Sequence, residues 1–379
     1  MVQERHIPGQ RNFGFGMMRL PQRSETEGGG INYEEVRAMV DRFLAAGFNY
    51  FDTAAPYHGG ESEVAFRECV AKRYPRETFV LADKLTIFML QDAEEMPGFF
   101  ASQLERCGVD SFDSYLPHCL NDDFFQKAEE LGAFDFVLQK KREGLAHRVG
   151  FSFHSTADVL EGILEKYPEM DFVQLQINYA DWDDSVVQAR KCYELCRRAG
   201  KSIIVMEPVK GGILAELPDE AEMLLRSIAP QATPASWAVR YAASLEGVEM
   251  VLSGMSNLAQ MEDNLSYMEN FAPLNEAEAQ AIERVRGILE ERALIPCTEC
   301  GYCLAGCPEG IPIPEYFKTY NDVEKYSQRY HRSAKLKYED IAQHAVAADA
   351  CRRCGICEAR CPQHIQIPSW LEKTVERFS

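Results

Sequence analysis

Short apolar runs alternate with stretches of helical spacing along the first three-quarters of the chain. Residues 33–46 place Val36, Met39, Val40, Phe43 and Leu44 three and four apart, with Gly47 behind them, which predicts a helix and its stop. Residues 48–52 then read as a strand, 61–72 as a helix, 79–84 as a strand and 99–107 as part of the next helix. Further strands are predicted at 114–116, 148–153, 172–177, 202–206 and 249–253, with helices between them that include 186–198 and 234–244. With an extended segment near Phe15 this makes eight strands over about 270 residues, the size of a (β/α)8 barrel. Repeated strand–helix alternation argues a parallel sheet, hence an α/β fold. An open doubly wound sheet is the competitor. It would carry G-x-G-x-x-G after its first strand; none occurs, and Gly14-x-Gly16 lacks the third glycine.

The last quarter changes character. Cys297-x-x-Cys300-x-x-Cys303-x-x-x-Cys307-Pro308 is repeated as Cys351-x-x-Cys354-x-x-Cys357-x-x-x-Cys361-Pro362. Three thiolates spaced in this way can wrap one face of an iron–sulfur cubane, and the fourth, placed after a turn, points away. Structural zinc also takes C-x-x-C pairs, but zinc ribbons do not use the extra two thiols or the trailing proline of each half. Between the runs, residues 311–348 read as helix. The expectation is a barrel over 1–285 followed by a small, mainly α-helical ferredoxin-like domain over 286–379.

Composition narrows the partners. The 379 residues are 46% hydrophobic, which excludes wholesale disorder, and leave room for a barrel plus a smaller domain. A net charge of −19 with no Lys/Arg-rich run makes nucleic acid and anionic membrane surfaces poor partners. The stretch 1–6 has no apolar signal core, and no run approaches the ~20 apolar residues of a membrane span. Eight of the 13 cysteines sit in the two runs, where reduced thiolates are needed, so a cytoplasmic setting is expected. Glu27-Gly28-Gly29-Gly30 reads as a flexible loop without a phosphate role.

Barrel active sites collect at the C-terminal ends of the strands. Asp52 and Tyr57 follow the second strand, Lys84 ends the third and His118 follows the fourth. Hydride delivered to a carbonyl carbon leaves an alkoxide that must be protonated, and a tyrosine, whose phenol ordinarily ionises near pH ~10, is a poor acid around neutrality. A cationic Lys84 beside Tyr57 would ease proton release, Asp52 would hold Lys84, and His118 would orient the carbonyl oxygen. Cys192 and Cys196 read as helix packing, Cys119 as a small buried thiol, and His58, His154 and Trp182 as rim or pocket residues.

On these residues the chain resembles the aldo-keto reductases, whose signature F-D-T-A-x-x-Y stands here at 51–57; the likeness covers roughly residues 10–272. It implies the tetrad Asp52, Tyr57, Lys84 and His118 and a carbonyl substrate. With the tail, the chain resembles the ferredoxin-fused branch of that family. The resemblance also implies a nicotinamide held by Ser152 and Gln174, with Phe153 where the family has Asn and Met206 where it has a stacking aromatic. Pro208 and Lys210 would lie on the pyrophosphate loop, and Ser253, Gly254, Gln260 and Asn264 at the adenosine phosphate. Gly254 and Gln260 stand where relatives that prefer the 2′-phosphate carry basic side chains, which implies NADH over NADPH. The cysteine spacing is that of bacterial ferredoxins, in which the fourth Cys ligates the other cluster. That resemblance implies Cys297, Cys300, Cys303 and Cys361 on one [4Fe–4S] cluster and Cys351, Cys354, Cys357 and Cys307 on a second.

Hydride carries two electrons and a cluster one, and the sequence contains no flavin site to bridge them. The leading expectation is an NAD(P)H-dependent carbonyl reductase whose clusters are structural, sensory or serve a redox protein partner. A second is an electron-transfer subunit whose barrel docks a flavoprotein. A third makes the tail a gate that folds only with metal.

Overall fold

The computed structural model describes residues 12–24, 29–326 and 330–379. The N-terminal hexapeptide and Glu27-Gly28, both read above, lie outside them. The eight expected strands are β1 (Phe13–Gly16), β2 (Tyr50–Asp52), β3 (Val80–Leu85), β4 (Phe112–Pro117), β5 (Ala146–Phe153), β6 (Phe172–Gln176), β7 (Ser202–Met206) and β8 (Val248–Gly254). Each pairs in parallel with the next, and β1 pairs with β8 through Phe13↔Val251, closing the barrel.

Strand side chains alternate between faces, and here the inward positions are the even-numbered ones. Tyr50, Val80, Ala82, Leu116, Phe172, Ile204, Met250 and Leu252 form the small cluster that fills the barrel. Odd positions such as Phe15, Phe51, Tyr115, Val173 and Val251 join the larger core that takes Val36, Met39, Val40 and Phe43 of the helix Tyr33–Ala45. The barrel interior is tight. A Cβ on Gly150 would meet the Phe172 carbonyl oxygen at 2.3 Å and its ring at 2.6 Å, so a neighbouring backbone fixes glycine there. Gly150→Ala is therefore expected to destabilise by about 1–3 kcal/mol, the usual cost of overpacking. A lowered denaturant midpoint checks it; an unchanged midpoint would mean that β5 and β6 can separate freely.

The predicted helix 186–198 starts late, at Ala189. Asp184 explains the delay: its Oδ1 accepts from the amides of Val186 and Val187 at 2.8 and 2.9 Å, an Asx-type turn that competes with the helix.

The chain divides into two compact units, Met1–Val209 with Ser236–Leu274, and Lys210–Ala235 with Asn275–Ser379. The helix Glu276–Glu291 is continuous across 285/286 and belongs to the second unit. Its start is set by a capping box, Asn275 with Glu278, and its buried stripe is Ala281, Ile282, Val285 and Leu289. The helices Ile313–Lys325, Tyr330–His344 and Ile367–Phe378 supply most of the rest. Their core includes Ile313, Tyr316, Phe317, Ile341, Ile367 and Leu371 around the cysteine runs. Asn321 ties the strandless approach to the first run, bonding both the N–H and the C=O of Ile295 at 2.9 and 2.8 Å. Among the described residues no helix is long and apolar enough to cross a membrane.

Candidate functional site

Inward parity carries Asp52, Lys84, Ser152, Gln174 and Met206 to the C-terminal mouth of the barrel, above the interior cluster. Lys84 is 1% exposed and donates to Asp52 Oδ1 at 2.6 Å and to the Thr53 carbonyl at 2.7 Å. Burial works against the Lys84 charge, but Asp52 and Tyr57 outweigh it, and its pKa lies above the ordinary value. Burial likewise lifts the Asp52 carboxyl, with Lys84 pulling the other way. Tyr57 enters from the turn after β2, where Thr53 Oγ1 bonds Ser62 Oγ at 2.8 Å and Ser62 donates to the Met17 carbonyl. The Lys84 ammonium lies 4.9 Å from the Tyr57 ring centroid. Burial raises the Tyr57 pKa and the Lys84 charge opposes that rise.

His118 meets Tyr57 edge to face, ring centroids 5.9 Å apart. Its Nδ1 lies 3.3 Å from the Thr86 hydroxyl, and its backbone N–H donates to the Leu85 carbonyl. Burial, then the Lys84 charge, push its pKa well below 6.5, so the imidazole is neutral around pH 7. The unfolded chain takes up this proton first as pH falls. The stability held by a neutral His118 is therefore complete above about pH 6.5 and is lost as pH drops toward the depressed folded value. His118→Gln should flatten that acid-side decline, as read from denaturant midpoints between about pH 7 and about pH 5; an identical decline in the variant would place the titration elsewhere.

The remaining barrel candidates divide. Ser152 and Gln174 are register partners on β5 and β6. Ser152 Oγ accepts the Cys119 amide at 2.7 Å, and so pins the turn behind His118, where Cys119 has φ 64°. Gln174 is 3% exposed and hydrogen-bonds Asp52, yet its Oε1 is a buried acceptor without a partner. Met206 is half-buried at the end of β7. Ser253 is odd-numbered and faces outward, donating to Asn264 Oδ1 at 2.8 Å, while Gln260 Oε1 accepts the Ser256 amide. These three polar groups brace the start of the helix Leu258–Met268. Gly254 leaves room for Arg19, whose side-chain carbons would lie 3.4–3.5 Å from a Cβ there. Sequence reading missed this exposed cation because it sits beyond β1, far in sequence from β8. Pro208 lies in the turn after β7; Lys210 opens the second unit, its ammonium 5.6 Å from the Tyr326 ring centroid.

Other residues singled out in the sequence have structural partners. His58 braces the segment after β1, accepting the Leu20 amide at 2.9 Å with Gln22 at 3.1 Å. Trp182 packs against Tyr193 and Tyr241. Cys192 and Cys196 are buried, and burial pushes both thiols up to about 12.

In the second unit the eight cysteines of the two runs form no disulfides and gather around two cavities. Cys297, Cys300, Cys303 and Cys361 line the first; Cys307, Cys351, Cys354 and Cys357 line the second. The two halves share backbone conformation: Glu299 and Arg353 both have φ 54°, Gly301 and Gly355 φ 74° and 76°. The turn after each run matches too, Gly310 N–H to Cys307 O at 3.1 Å and His364 N–H to Cys361 O at 3.0 Å. The Ile311 amide donates to Cys307 Sγ at 3.4 Å. A zinc bound at about 2.3 Å to each thiolate draws its sulfurs to within about 4 Å of one another. Among the described residues the one set of three potential ligand atoms all within 4.8 Å is Glu63, Asp83 and Cys107 in the barrel unit; neither cysteine cavity contains one.

Comparison with known proteins agrees with this layout. The model of the aldo/keto reductase family matches residues 12–286, and that of a 4Fe-4S dicluster domain matches 296–365. The L-galactose dehydrogenase of Arabidopsis thaliana is 24% identical over 283 residues, 69% of this chain and 86% of its own length. The NADH-specific methylglyoxal reductase of Escherichia coli is 27% identical over 196 residues, 46% of this chain and 57% of its own. An aldo-keto reductase from Klebsiella pneumoniae in complex with NADPH superposes with a TM-score of 0.58 at 17% identity, over 73% of this chain and 90% of that one. One from Bacillus halodurans does so at 0.57 and 23% identity, over 72% and 91%. At these identities the solved structures speak for the fold.

Proposed function

The chain belongs to the aldo/keto reductase family, and from that premise we propose that it reduces a carbonyl substrate using a nicotinamide nucleotide, with Tyr57 as proton donor. The observation that carries this reading is the gathering of Asp52, Tyr57, Lys84 and His118 at one end of a closed barrel, with a buried Lys84–Asp52 ion pair beneath the phenol.

Each residue has a distinct task. Asp52 and the Thr53 carbonyl hold the Lys84 ammonium in place. That charge stabilises the phenolate left behind when Tyr57 gives its proton to the carbonyl oxygen. Neutral His118 donates a hydrogen bond to the same oxygen and fixes its direction. The nucleotide, when bound, supplies the hydride. The fit of its carboxamide rests on Gln174 Oε1, a buried acceptor awaiting a donor, beside the Ser152 hydroxyl. Neither position 254, a glycine, nor position 260, a glutamine, itself offers a cation to a 2′-phosphate, which favours NADH; Arg19, beside Gly254, is the side chain through which NADPH would be accepted.

In the C-terminal region, the domain we place at 286–379, each cavity gathers four cysteines drawn from both runs, the number of ligands a [4Fe–4S] cluster takes. Two such clusters would supply one-electron capacity, open to a redox protein partner. Burial, then neighbouring Cys297, push the Cys303 thiol up to about 11, so loading the site must release protons.

Anaerobic consumption of NADH and of NADPH against aldehydes, ketones and quinones tests the reading. Turnover faster with NADH is expected. Silence across the panel with clusters present by visible absorbance would overturn it in favour of an electron-transfer subunit.

A further inference from the structure

Lys84 points into the barrel, but its neighbour Asp83 points out, among the helices, where an aliphatic residue would ordinarily pack. Around Asp83 lies a polar group that is fully buried apart from the half-buried Arg106: Glu63, Gln103, Cys107 and Tyr115 are each 0% exposed, as is Asp83 itself. Four elements contribute. Glu63 comes from the helix Glu61–Phe66, which follows directly on the Tyr57 turn; Gln103, Arg106 and Cys107 come from the helix Glu95–Cys107; Asp83 sits on β3 and Tyr115 on β4.

The hydrogen bonds have a direction. Asp83 Oδ1 accepts the backbone N–H of Lys84 at 2.8 Å, and Gln103 Nε2 donates to the backbone C=O of Lys84 at 3.0 Å. The backbone N–H and C=O of the catalytic lysine are thus both held by this group. Gln103 Nε2 also donates to Glu63 Oε1 at 3.0 Å, and its Oε1 accepts from Tyr115 at 2.6 Å, so the amide is fully oriented. Arg106 forms an ion pair with Glu63, and Cys107 Sγ lies 3.5 Å from Asp83 Oδ2.

We propose that Gln103, Asp83 and Glu63 are positioning residues that set the distance between Lys84 and Tyr57, by bonding the Lys84 backbone to the helix that follows the Tyr57 turn. The proposal rests on the reading of Tyr57 as proton donor given above. The group is not a cation site: Arg106 already supplies the positive charge, and every carboxylate has a protein partner. Burial, then the Glu63 charge, lift the Asp83 carboxyl well above its usual range, which favours its neutral form. A neutral amide can therefore replace Asp83, whereas nothing aliphatic can replace Gln103.

The test uses the full chain with its clusters. In nucleotide-free protein, Tyr57 ionisation is followed by carbon-13 NMR of ring-labelled tyrosine, the signal being assigned with Tyr57→Phe. Gln103→Met, which keeps volume but removes all three side-chain hydrogen bonds, should move Tyr57 ionisation to higher pH as the Lys84 charge recedes. It should also lower kcat on the order of 10- to 100-fold, the scale of an ångström-sized misplacement, with KM little changed. Asp83→Asn should keep both readouts near wild type. If Gln103→Met does not fold, Asp83→Ala takes its place with the same expectation. An unchanged Tyr57 titration in a variant whose only change is a lower melting temperature would overturn the proposal and leave the group as core packing. Absence of carbonyl turnover in the wild-type protein would refute the reductase reading alone, since the titration arm needs neither substrate nor nucleotide.

Discussion

Tyr57→Phe is expected to lower carbonyl reduction on the order of 10²- to 10⁴-fold, the usual contribution of a positioned general acid. The loss should fall on kcat. The phenyl ring keeps its edge-to-face contact with His118 and its place over the Lys84 ammonium, so substrate binding is left largely intact. This variant isolates the proton better than a change at Lys84 would. Lys84 and Asp52 form a buried pair, 1% and 7% exposed at the side chain, and removing one partner of such a pair costs about 3–5 kcal/mol. Steady-state NAD(P)H oxidation by wild type and variant, with cluster absorbance recorded on the same samples, makes the comparison. A loss smaller than tenfold would assign the proton to His118, the other group beside the phenol, and would recast Tyr57 as a wall of the pocket.

Much of this site could be read from the chain because its chemistry lies on strand ends, where period and position are both regular. Asp52, Lys84, Gln174 and Met206 share even parity with Tyr50, Ala82, Phe172 and Ile204, so their inward direction follows once the strands are placed. The same arithmetic would have turned Ser253 away from the mouth, since it is odd; the resemblance to a motif outweighed it. The group that holds the Lys84 backbone was not legible. Glu63, Gln103 and Cys107 sit at unremarkable helical positions, and they meet Asp83 only after elements distant in sequence have packed, as the Gln103–Glu63 and Cys107–Asp83 separations of 40 and 24 residues record. Nothing local announces a buried carboxyl pair. Lys210, which the resemblance puts on the pyrophosphate loop, opens the second unit, and its ammonium lies by Tyr326.

The cysteine runs were legible for a different reason: a cluster fixes ligand spacing by its own geometry, so the chain must repeat it. The crossing of the fourth cysteine gives the second large expectation. Cys361 lies in the second run but lines the cavity of Cys297, Cys300 and Cys303, and Cys307 lines that of Cys351, Cys354 and Cys357. Cys361→Ala should therefore strip the cluster of the first run and spare that of its own, reducing iron and acid-labile sulfide from about eight to about four per chain, four per [4Fe–4S] centre. Combining it with Cys300→Ala should cost nothing further, because both ligate the same centre, whereas Cys361→Ala with Cys354→Ala should empty both. Iron content alone does not separate crossed from uncrossed ligation in the single variant; the pair of double variants does, since uncrossed ligation predicts the opposite result for each. Thermal melting adds a consequence. The cavities are walled by Ile313 and Phe317 in one and by Ile311 and Leu371 in the other, residues of the core of the second unit. Losing either centre should lower the melting temperature of this unit, and losing both should unfold it while Tyr57-dependent turnover in the barrel persists. If turnover instead falls in step with iron content, the clusters are needed for catalysis.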